Sequence, residues 1–238
     1  MLFDWGDTLF RSAFDDGILL AGWEAGLAAI GRDGLPDHRE TAARFRDHYL
    51  PLISADDALD EVDYEAMIRE LLDGFGHQLD HEELARFVQA EHAQEIPARL
   101  DSTFCHDLLD ELRARSLRLG LVSNVCDPPR LVRDDLRWME LDRRFDTVVF
   151  SSEVGRRKPD PAVFGAALTA LGTEPRQAVF VGDRRYDDMR GAKELGMTTV
   201  LATWFRVDDD PRGVDPDFVA AEPAAVLGIL DQLAARAA

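Results

Sequence analysis

This chain of 238 residues has little cysteine, little lysine and no long apolar run. Its two cysteines, Cys105 and Cys126, provide neither a disulfide framework nor the spacing of a zinc site. No apolar run approaches the roughly 20 residues that span a bilayer. The first residues also lack the basic start and long apolar stretch of a signal peptide. We therefore expect ordinary thiols, no membrane association and a reducing, cytoplasmic location.

Positive charge is scarce as well, because 27 basic residues face 46 acidic ones and the formal net charge is −19. Such a charge repels nucleic acid and anionic membranes, so neither is expected as a partner. A small phosphorylated metabolite remains a compatible partner, because local cations and a bound metal ion outweigh distant charges. Only Lys158 and Lys193 are lysines, which limits where lysine chemistry can occur. Both a monomer and a homodimer stay open.

The apolar pattern places a helical segment inside an alternation of helices and strands. Residues 1–3 are predicted to be the end of a buried strand. Amphipathic stretches with apolar residues at three- and four-residue spacing predict helices at 17–30, 39–50, 64–75 and 81–92, with no period-2 segment between them. Beyond Pro97, predicted helices alternate with apolar strands at 117–122, 147–150, 178–181 and 198–202, followed by a short strand near Phe218 and a last helix.

This alternation predicts an α/β fold, with a Rossmann-like three-layer core in which helices cover both faces of a parallel sheet. Residues 1–11 and 97–238 are assigned to the core, and residues 12–96 to an inserted all-helical cap domain. Sheets of this kind bind ligands at the carboxyl ends of their strands. The functional residues are therefore expected where the strands end.

Polar residues stand at those strand ends. Asp4 and Thr8 follow the first strand, Ser123 and Asn124 follow the strand at 117–122, and Lys158 lies beyond the strand at 147–150. Three carboxylates close the series after the strand at 178–181, namely Asp183, Asp187 and Asp188. Four polar groups at one sheet edge converge on one crevice, which predicts a carboxylate site assisted by a metal ion.

The order and spacing of these residues resemble the four motifs of the haloacid dehalogenase-like superfamily. Asp4 with Thr8 is similar to the first motif, Ser123 to the second, Lys158 to the third, and Gly182-Asp183 with Asp187-Asp188 to the fourth. The helical insertion occupies the place of the mobile cap of that family. The resemblance covers essentially the whole chain.

The resemblance implies a Mg²⁺-dependent phosphatase of small-molecule phosphate monoesters. Asp4 would be the nucleophile and would form an aspartyl-phosphate that water then cleaves. Mg²⁺ would be held by the Asp4 carboxylate, the Gly6 carbonyl and Asp183, because hard cations prefer oxygen ligands. Asp188 would support the metal through water or anchor Lys158.

Five residues would act on the substrate side. Ser123, Thr8 and Asn124 would bind phosphoryl oxygens or position Asp4. Lys158 would neutralise the charge that develops in the transition state. Arg11 would meet a second anionic group of the substrate, or be an exposed linker arginine.

Gly6 departs from the pattern. Phosphatases of the family carry there an aspartate that protonates the leaving group, and Asp7 stands where glycine is usual. Three readings stay open: a phosphatase that prefers good leaving groups or recruits Asp7 or a cap residue as acid, a 2-haloacid dehalogenase, and a catalytically weak member that serves as a binding module. The dehalogenases work without metal, and an acidic fourth motif is unfavourable there. A phosphonatase would need a cap lysine, and residues 12–95 contain none.

Overall fold

The computed structural model describes residues 1–55 and 58–237. Six of its strands form one sheet in the order β5-β4-β1-β6-β7-β8, and all neighbours in it are parallel. The remaining two, β2 and β3, form a short antiparallel ribbon. In chain order the strands of the described part are β1 Leu2–Phe3, β2 Arg11–Ser12, β3 Arg99–Leu100, β4 Gly120–Ser123, β5 Thr147–Phe150, β6 Val179–Gly182, β7 Thr198–Ala202 and β8 Phe218–Ala220.

The helices fall into a group before β3 and a group that alternates with the sheet strands. The first group comprises α1 Asp16–Ile30, α2 His38–His48, α3 Leu50–Ile53, α4 Tyr64–Gly74 and α5 His81–His92, followed by a 3₁₀ turn at Ala93–Ala98. The second comprises α6 His106–Ala114, α7 Pro129–Trp138, α8 Ser151–Val154, α9 Pro161–Leu171, α10 Gly191–Glu194 and α11 Pro223–Ala237, with a 3₁₀ turn at Pro175–Gln177 and a π-helical turn at Arg185–Arg190.

The sheet lies between two layers of helices. Successive residues of its strands belong to different apolar clusters, one on each face. In β1, Phe3 packs with residues of α6, α7 and α11, whereas Leu2 packs with residues of α9 and α10. Phe180 of β6 lies on the same side as Leu2, and Val181 on the side of Phe3. This alternation across a sheet that is buried on both faces confirms the predicted α/β fold.

The helices of the insertion pack around a core of their own. Trp23 of α1 is fully buried, with its ring centroid 5.0 Å from that of Phe87 on α5 and 5.5 Å from that of Phe45 on α2. A Cβ added at Gly26 would lie 2.7 Å from the Phe87 ring, so only glycine permits this approach of α1 to α5. The apolar residues whose spacing predicted amphipathic helices are thus the ones through which these helices contact each other.

Three local features differ from the sequence-based expectation. The antiparallel ribbon of β2 and β3 closes the base of the insertion, and two-residue strands are too short to show a period-2 pattern. The helix predicted at 39–50 ends at His48, and Pro51, which lacks an N–H, begins a separate turn. The helix expected between the strands at 178–181 and 198–202 starts as the π-helical turn at Arg185–Arg190.

Within the described residues, no helix is both long and apolar enough to cross a membrane.

Candidate active site

The carboxyl ends of β1, β4 and β6 open onto a cavity of about 600 Å³. Asp4, Ser123 and Asp183 reach its wall from these strand ends, and Lys158 reaches it from the loop before α9. All four side chains are almost fully buried. The fold therefore brings together the residues that the sequence predicted at the sheet edge, as expected for parallel strands.

Lys158 is held between two carboxylates. Its Nζ lies 2.5 Å from Asp4 Oδ1 and 2.6 Å from Asp188 Oδ1. Burial alone would lower the pKa of Lys158, but Asp188 and Asp4 raise it above its ordinary value, so the lysine stays charged. The second oxygen of Asp188 accepts a hydrogen bond from the Arg184 N–H at 3.0 Å. Asp188 is thus placed as an anchor of Lys158.

Asn124 acts on the same lysine through its backbone. Its Oδ1 accepts from the Lys158 N–H at 2.7 Å, and its Nδ2 donates to the Lys158 carbonyl at 3.3 Å. The side-chain amide is therefore committed to holding the lysine loop, although the residue lines the cavity.

Two hydroxyls orient the acidic residues. Thr8 Oγ1 lies 3.4 Å from both Asp4 Oδ2 and Asp183 Oδ1, and Ser123 Oγ lies 3.3 Å from Asp4 Oδ1. Thr8 is fully buried and does not line the cavity, whereas Ser123 does. Thr8 is therefore placed to position the two carboxylates, and Ser123 to contact a bound group as well.

Asp4, Asp183 and Asp188 each contribute a carboxylate oxygen to a group in which all ligand atoms lie within 4.8 Å of one another. Burial and the neighbouring charges of Asp4 and Asp188 raise the pKa of Asp183 well above its usual range. Buried carboxylates this close are unfavourable unless a cation or a proton offsets them. The donor set of oxygen atoms fits a hard divalent cation such as Mg²⁺, and Gly6 lines the same cavity.

Asp7 and Arg206 form a feature of the site that the sequence did not predict. Asp7 adopts φ 53°, the left-handed region that favours glycine and that aspartate tolerates better than most residues. Its Oδ1 accepts from the Ser12 N–H at 2.9 Å, and its Oδ2 lies 2.6 Å from Arg206 Nη2. Arg206 Nε also lies 2.9 Å from Asp183 Oδ2. Arg206 belongs to the loop after β7, where no sequence pattern marked it.

Of two further residues that the sequence singled out, Arg11 lies outside the cavity wall and Asp187 lines it. Arg11 is exposed on β2, where its Nε lies 3.2 Å from Asp101 Oδ2, and it does not line the cavity. It therefore has the geometry of an exposed linker arginine. Asp187 lines the cavity, with its Oδ2 3.3 Å from Arg184 Nη1.

The chain was compared with known protein families, curated proteins and solved structures. Residues 54–202, more than half of the chain, match the family model described as haloacid dehalogenase-like hydrolase. The matched range contains Ser123, Lys158 and Asp183, and Asp4 lies before it.

Curated relatives are matched over a part of their length. A segment of 132 residues is 36% identical to a glyceraldehyde 3-phosphate phosphatase of Methanopyrus kandleri and covers 53% of this chain and 54% of that protein. Another of 109 residues is 42% identical to a phosphoserine phosphatase of Thermus thermophilus and covers 46% of this chain and 41% of that protein. The chain thus spans about half the length of these relatives.

The solved structures agree in fold over nearly the whole chain. A 2-haloacid dehalogenase from Pseudomonas syringae pv. tomato DC3000 has a TM-score of 0.64 at 20% identity, covering 98% of this chain and 97% of that one. At this identity the likeness concerns the fold alone. The family-model match over more than half of the chain shows that the chain belongs to the haloacid dehalogenase-like hydrolase family.

Proposed function

We propose that this protein is a Mg²⁺-dependent phosphatase that hydrolyses a small-molecule phosphate monoester through an aspartyl-phosphate on Asp4. The observation that carries the proposal is the position of Lys158 Nζ, 2.5 Å from Asp4 Oδ1 and 2.6 Å from Asp188 Oδ1, at the wall of a cavity of about 600 Å³. A buried cation beside a buried carboxylate in a cavity suits attack on an anionic phosphoryl group, because it offsets their mutual repulsion.

In this mechanism Asp4 attacks phosphorus and the ester oxygen leaves with the organic group. Lys158 stabilises the negative charge on the phosphoryl oxygens, and Asp188 and Asn124 keep the lysine in place. Ser123 donates a hydrogen bond to a phosphoryl oxygen, and Thr8 orients Asp4. Water then attacks the aspartyl-phosphate, and phosphate is released with Asp4 restored.

Asp4, Asp183 and the Gly6 carbonyl are assigned as the Mg²⁺ ligands of the protein. The bound ion would neutralise the phosphoryl group and lower the cost of bringing it to an anionic nucleophile. We assign Asp188 to Lys158, because both of its oxygens already accept hydrogen bonds. The excess of carboxylate over cation around Asp183 supports a metal site and is unfavourable for metal-free dehalogenation at carbon.

We also propose that residues 12–96 form a cap domain over a core of residues 1–11 and 97–238. Ile53 and Ser54 from the insertion line the cavity together with Asp4. A cap in contact with the site would exclude water during reaction and contribute to substrate choice. The phosphatase names of the two curated relatives support a small phosphorylated metabolite as the substrate.

The proposal is tested by phosphate release from p-nitrophenyl phosphate with Mg²⁺ and with EDTA, beside chloride release from 2-chloropropionate. Mg²⁺-dependent hydrolysis that disappears in Asp4→Asn and persists in the exposed control Asp142→Asn is the expected result. Acid-quenched wild type should also yield a phosphorylated peptide that contains Asp4. Chloride release that survives EDTA, or full activity of Asp4→Asn, would overturn the proposal.

A further inference from the structure

The leaving group of a phosphate ester needs a proton, and neither Gly6 nor Asp7 is placed to supply it. Gly6 has no side chain, and both carboxylate oxygens of Asp7 are occupied by the Ser12 N–H and by Arg206. A second cavity of about 250 Å³ lies beside the first and shares Gly6, Ser123 and Asn124 with it. One wall of this second cavity carries Glu95 from the 3₁₀ turn that follows α5.

We propose that Glu95 is the general acid that protonates the leaving oxygen of the substrate, in place of the acid absent at Gly6. The inference rests on the proposed phosphatase function and deepens it. Its basis is the wall that the two cavities share at Gly6, Ser123 and Asn124, which makes the cavity of Glu95 a neighbour of the one that Asp4 lines. The rest of that wall is largely apolar, with Trp5, Phe10 and Val125, and therefore suits the organic part of a small ester.

The balance of charges around Glu95 favours at least one protonated carboxyl group. Counting Glu95 itself, five carboxyl groups lie in this largely buried region with three cationic groups. The charged and titratable groups that surround Glu95 are Glu61, Glu91, Asp127, Asp135, His92, Arg99, Arg157, Tyr64 and Cys126. Because carboxylates outnumber cations in a buried setting, those without a close cation retain their protons.

Two of the carboxylates have close cationic partners. Asp127 and Asp135 flank His92, at 2.9 Å from Nδ1 and 2.8 Å from Nε2, and Asp135 also lies 2.6 Å from Arg99 Nη2. Hydrogen bonds to both ring nitrogens hold His92 as an imidazolium. The imidazole therefore has no free nitrogen for a metal ion, although His92, Glu95 and Asp127 lie within ligand distance of one another.

A negative charge on Glu95 is stabilised less well than the charges of Asp127 and Asp135. The distance from its Oε2 to Arg99 Nη2 is 3.5 Å, the limit of a hydrogen bond. Burial and the adjacent Asp127 carboxylate raise the pKa of Glu95 to about 7. A carboxyl group of that pKa is protonated in an appreciable fraction at neutral pH and is well matched to general acid catalysis.

The other acidic residues on the same wall are engaged elsewhere. Glu61 accepts hydrogen bonds from the Ser151 hydroxyl and from the Val62 N–H, and Arg157 Nε lies 3.9 Å from it. Asp127 is bound to the His92 imidazolium. Glu91 is buried against α1 and does not line the cavity. Glu95 is therefore the carboxyl group on this wall that is best placed to give up a proton.

The step balances as follows. A bond forms between Asp4 and phosphorus as the bond from phosphorus to the ester oxygen breaks. The departing oxygen takes the proton of the Glu95 carboxyl and leaves as an alcohol. In the second half, Glu95 as carboxylate accepts a proton from the water that attacks the aspartyl-phosphate, which restores the acid and releases phosphate.

The test compares wild type and Glu95→Gln on phosphates of nitrophenol and of simple alcohols. p-Nitrophenolate leaves without a proton, so its phosphate should be cleaved by Glu95→Gln within about threefold of wild type, whereas alkyl phosphates should lose about 10²–10⁴-fold. In wild type, alkyl phosphate turnover should fall as pH rises through about 7, and this fall in turnover should be absent from the pH profile of the variant. Glu91→Gln changes another carboxyl group of the same buried region and is the control. The ratio of its turnover to that of wild type should be the same for both classes of substrate.

A second variant distinguishes loss of the general acid from a structural disturbance of the residues around Glu95. A Cβ at Gly6 would meet only the Phe10 ring, at 3.9 Å, among the described residues, so a side chain can start from this position without a clash. The double variant Gly6→Asp with Glu95→Gln should recover alkyl phosphate turnover. Equal losses on both substrate classes, or no recovery in the double variant, would overturn the assignment of Glu95. Absence of wild-type activity on p-nitrophenyl phosphate would instead overturn the proposed function.

Discussion

The guanidinium group of Arg206 lies against Asp183, with 2.9 Å between Nε and Oδ2. The same group lies 2.6 Å from Asp7 through Nη2, so one arginine joins two carboxylates at the cavity wall. Asp183 is the residue to which we assign Mg²⁺. The protein therefore holds a cation of its own beside its proposed metal ligand.

We predict that Arg206→Gln binds Mg²⁺ about tenfold more tightly than wild type, a change of about 1.4 kcal/mol. Removing a positive charge beside Asp183 removes its repulsion of the divalent ion and its competition for the carboxylate. Titration calorimetry with Mg²⁺ and no substrate measures this directly. Arg137→Gln, an exposed change on α7, serves as the control. An unchanged or weaker affinity of Arg206→Gln would contradict the prediction.

We predict that Asp183→Asn raises the free energy of unfolding of the metal-free protein while abolishing its stabilisation by Mg²⁺. The pKa of Asp183 is raised by burial and by Asp4 and Asp188, so its negative charge is unfavourable in the metal-free protein even with Arg206 beside it. A neutral amide of the same shape removes that cost by roughly 1 kcal/mol. Urea unfolding with EDTA and with Mg²⁺ gives both values. A less stable metal-free variant would argue against a site strained by like charges.

The sequence predicted well those residues whose place depends on strand ends. Asp4, Ser123 and Asp183 follow apolar strands, and a parallel sheet brings such ends to one edge. The four motifs also allowed Lys158 to be assigned, although it lies in a loop. The parallel sheet and the run of helices after its first strand were predicted from the same pattern, whereas the order of the strands was not.

Residues that act through contacts between distant loops were not predictable in this way. Arg206 lies in an irregular loop and reaches Asp7 across 199 positions of sequence. His92 was not predictable either, because the carboxylates on either side of its ring come from other segments of the chain. Periodicity reports which face of an element is buried, and it carries no information on pairs of side chains from separate loops.

Gly182, the last residue of β6, allows the anchor of Lys158 to form. A Cβ at this position would overlap the carboxylate of Asp188. We predict that Gly182→Ala displaces Asp188, loosens Lys158 and lowers kcat at least about tenfold, or roughly 1.4 kcal/mol of barrier. Steady-state kinetics on p-nitrophenyl phosphate measures the loss. Gly165→Ala on α9, where a Cβ meets nothing within 4 Å among the described residues, should keep wild-type kcat. Equal kcat for both variants would show that the anchor is dispensable.

Because His92 is an imidazolium in the folded protein, the free energy of unfolding is expected to fall as the pH becomes alkaline. Burial alone would lower the pKa of His92, but the hydrogen bonds that its ring donates to Asp127 and Asp135 raise it from 6.5 to about 10. The folded protein therefore holds a proton that the unfolded chain releases above pH about 6.5, and the stabilisation is lost as pH rises towards 10.

We predict that the free energy of unfolding of wild type falls by on the order of 3 kcal/mol more than that of His92→Gln between pH about 7 and about 9.5. Glutamine keeps a hydrogen-bonding side chain and does not titrate, so the difference between the two proteins isolates the imidazolium from other groups. Urea unfolding at several pH values in this window measures it. Parallel pH profiles for the two proteins would mean that His92 is neutral in the folded state, and the charge count that assigns a proton to Glu95 would then have to be revised.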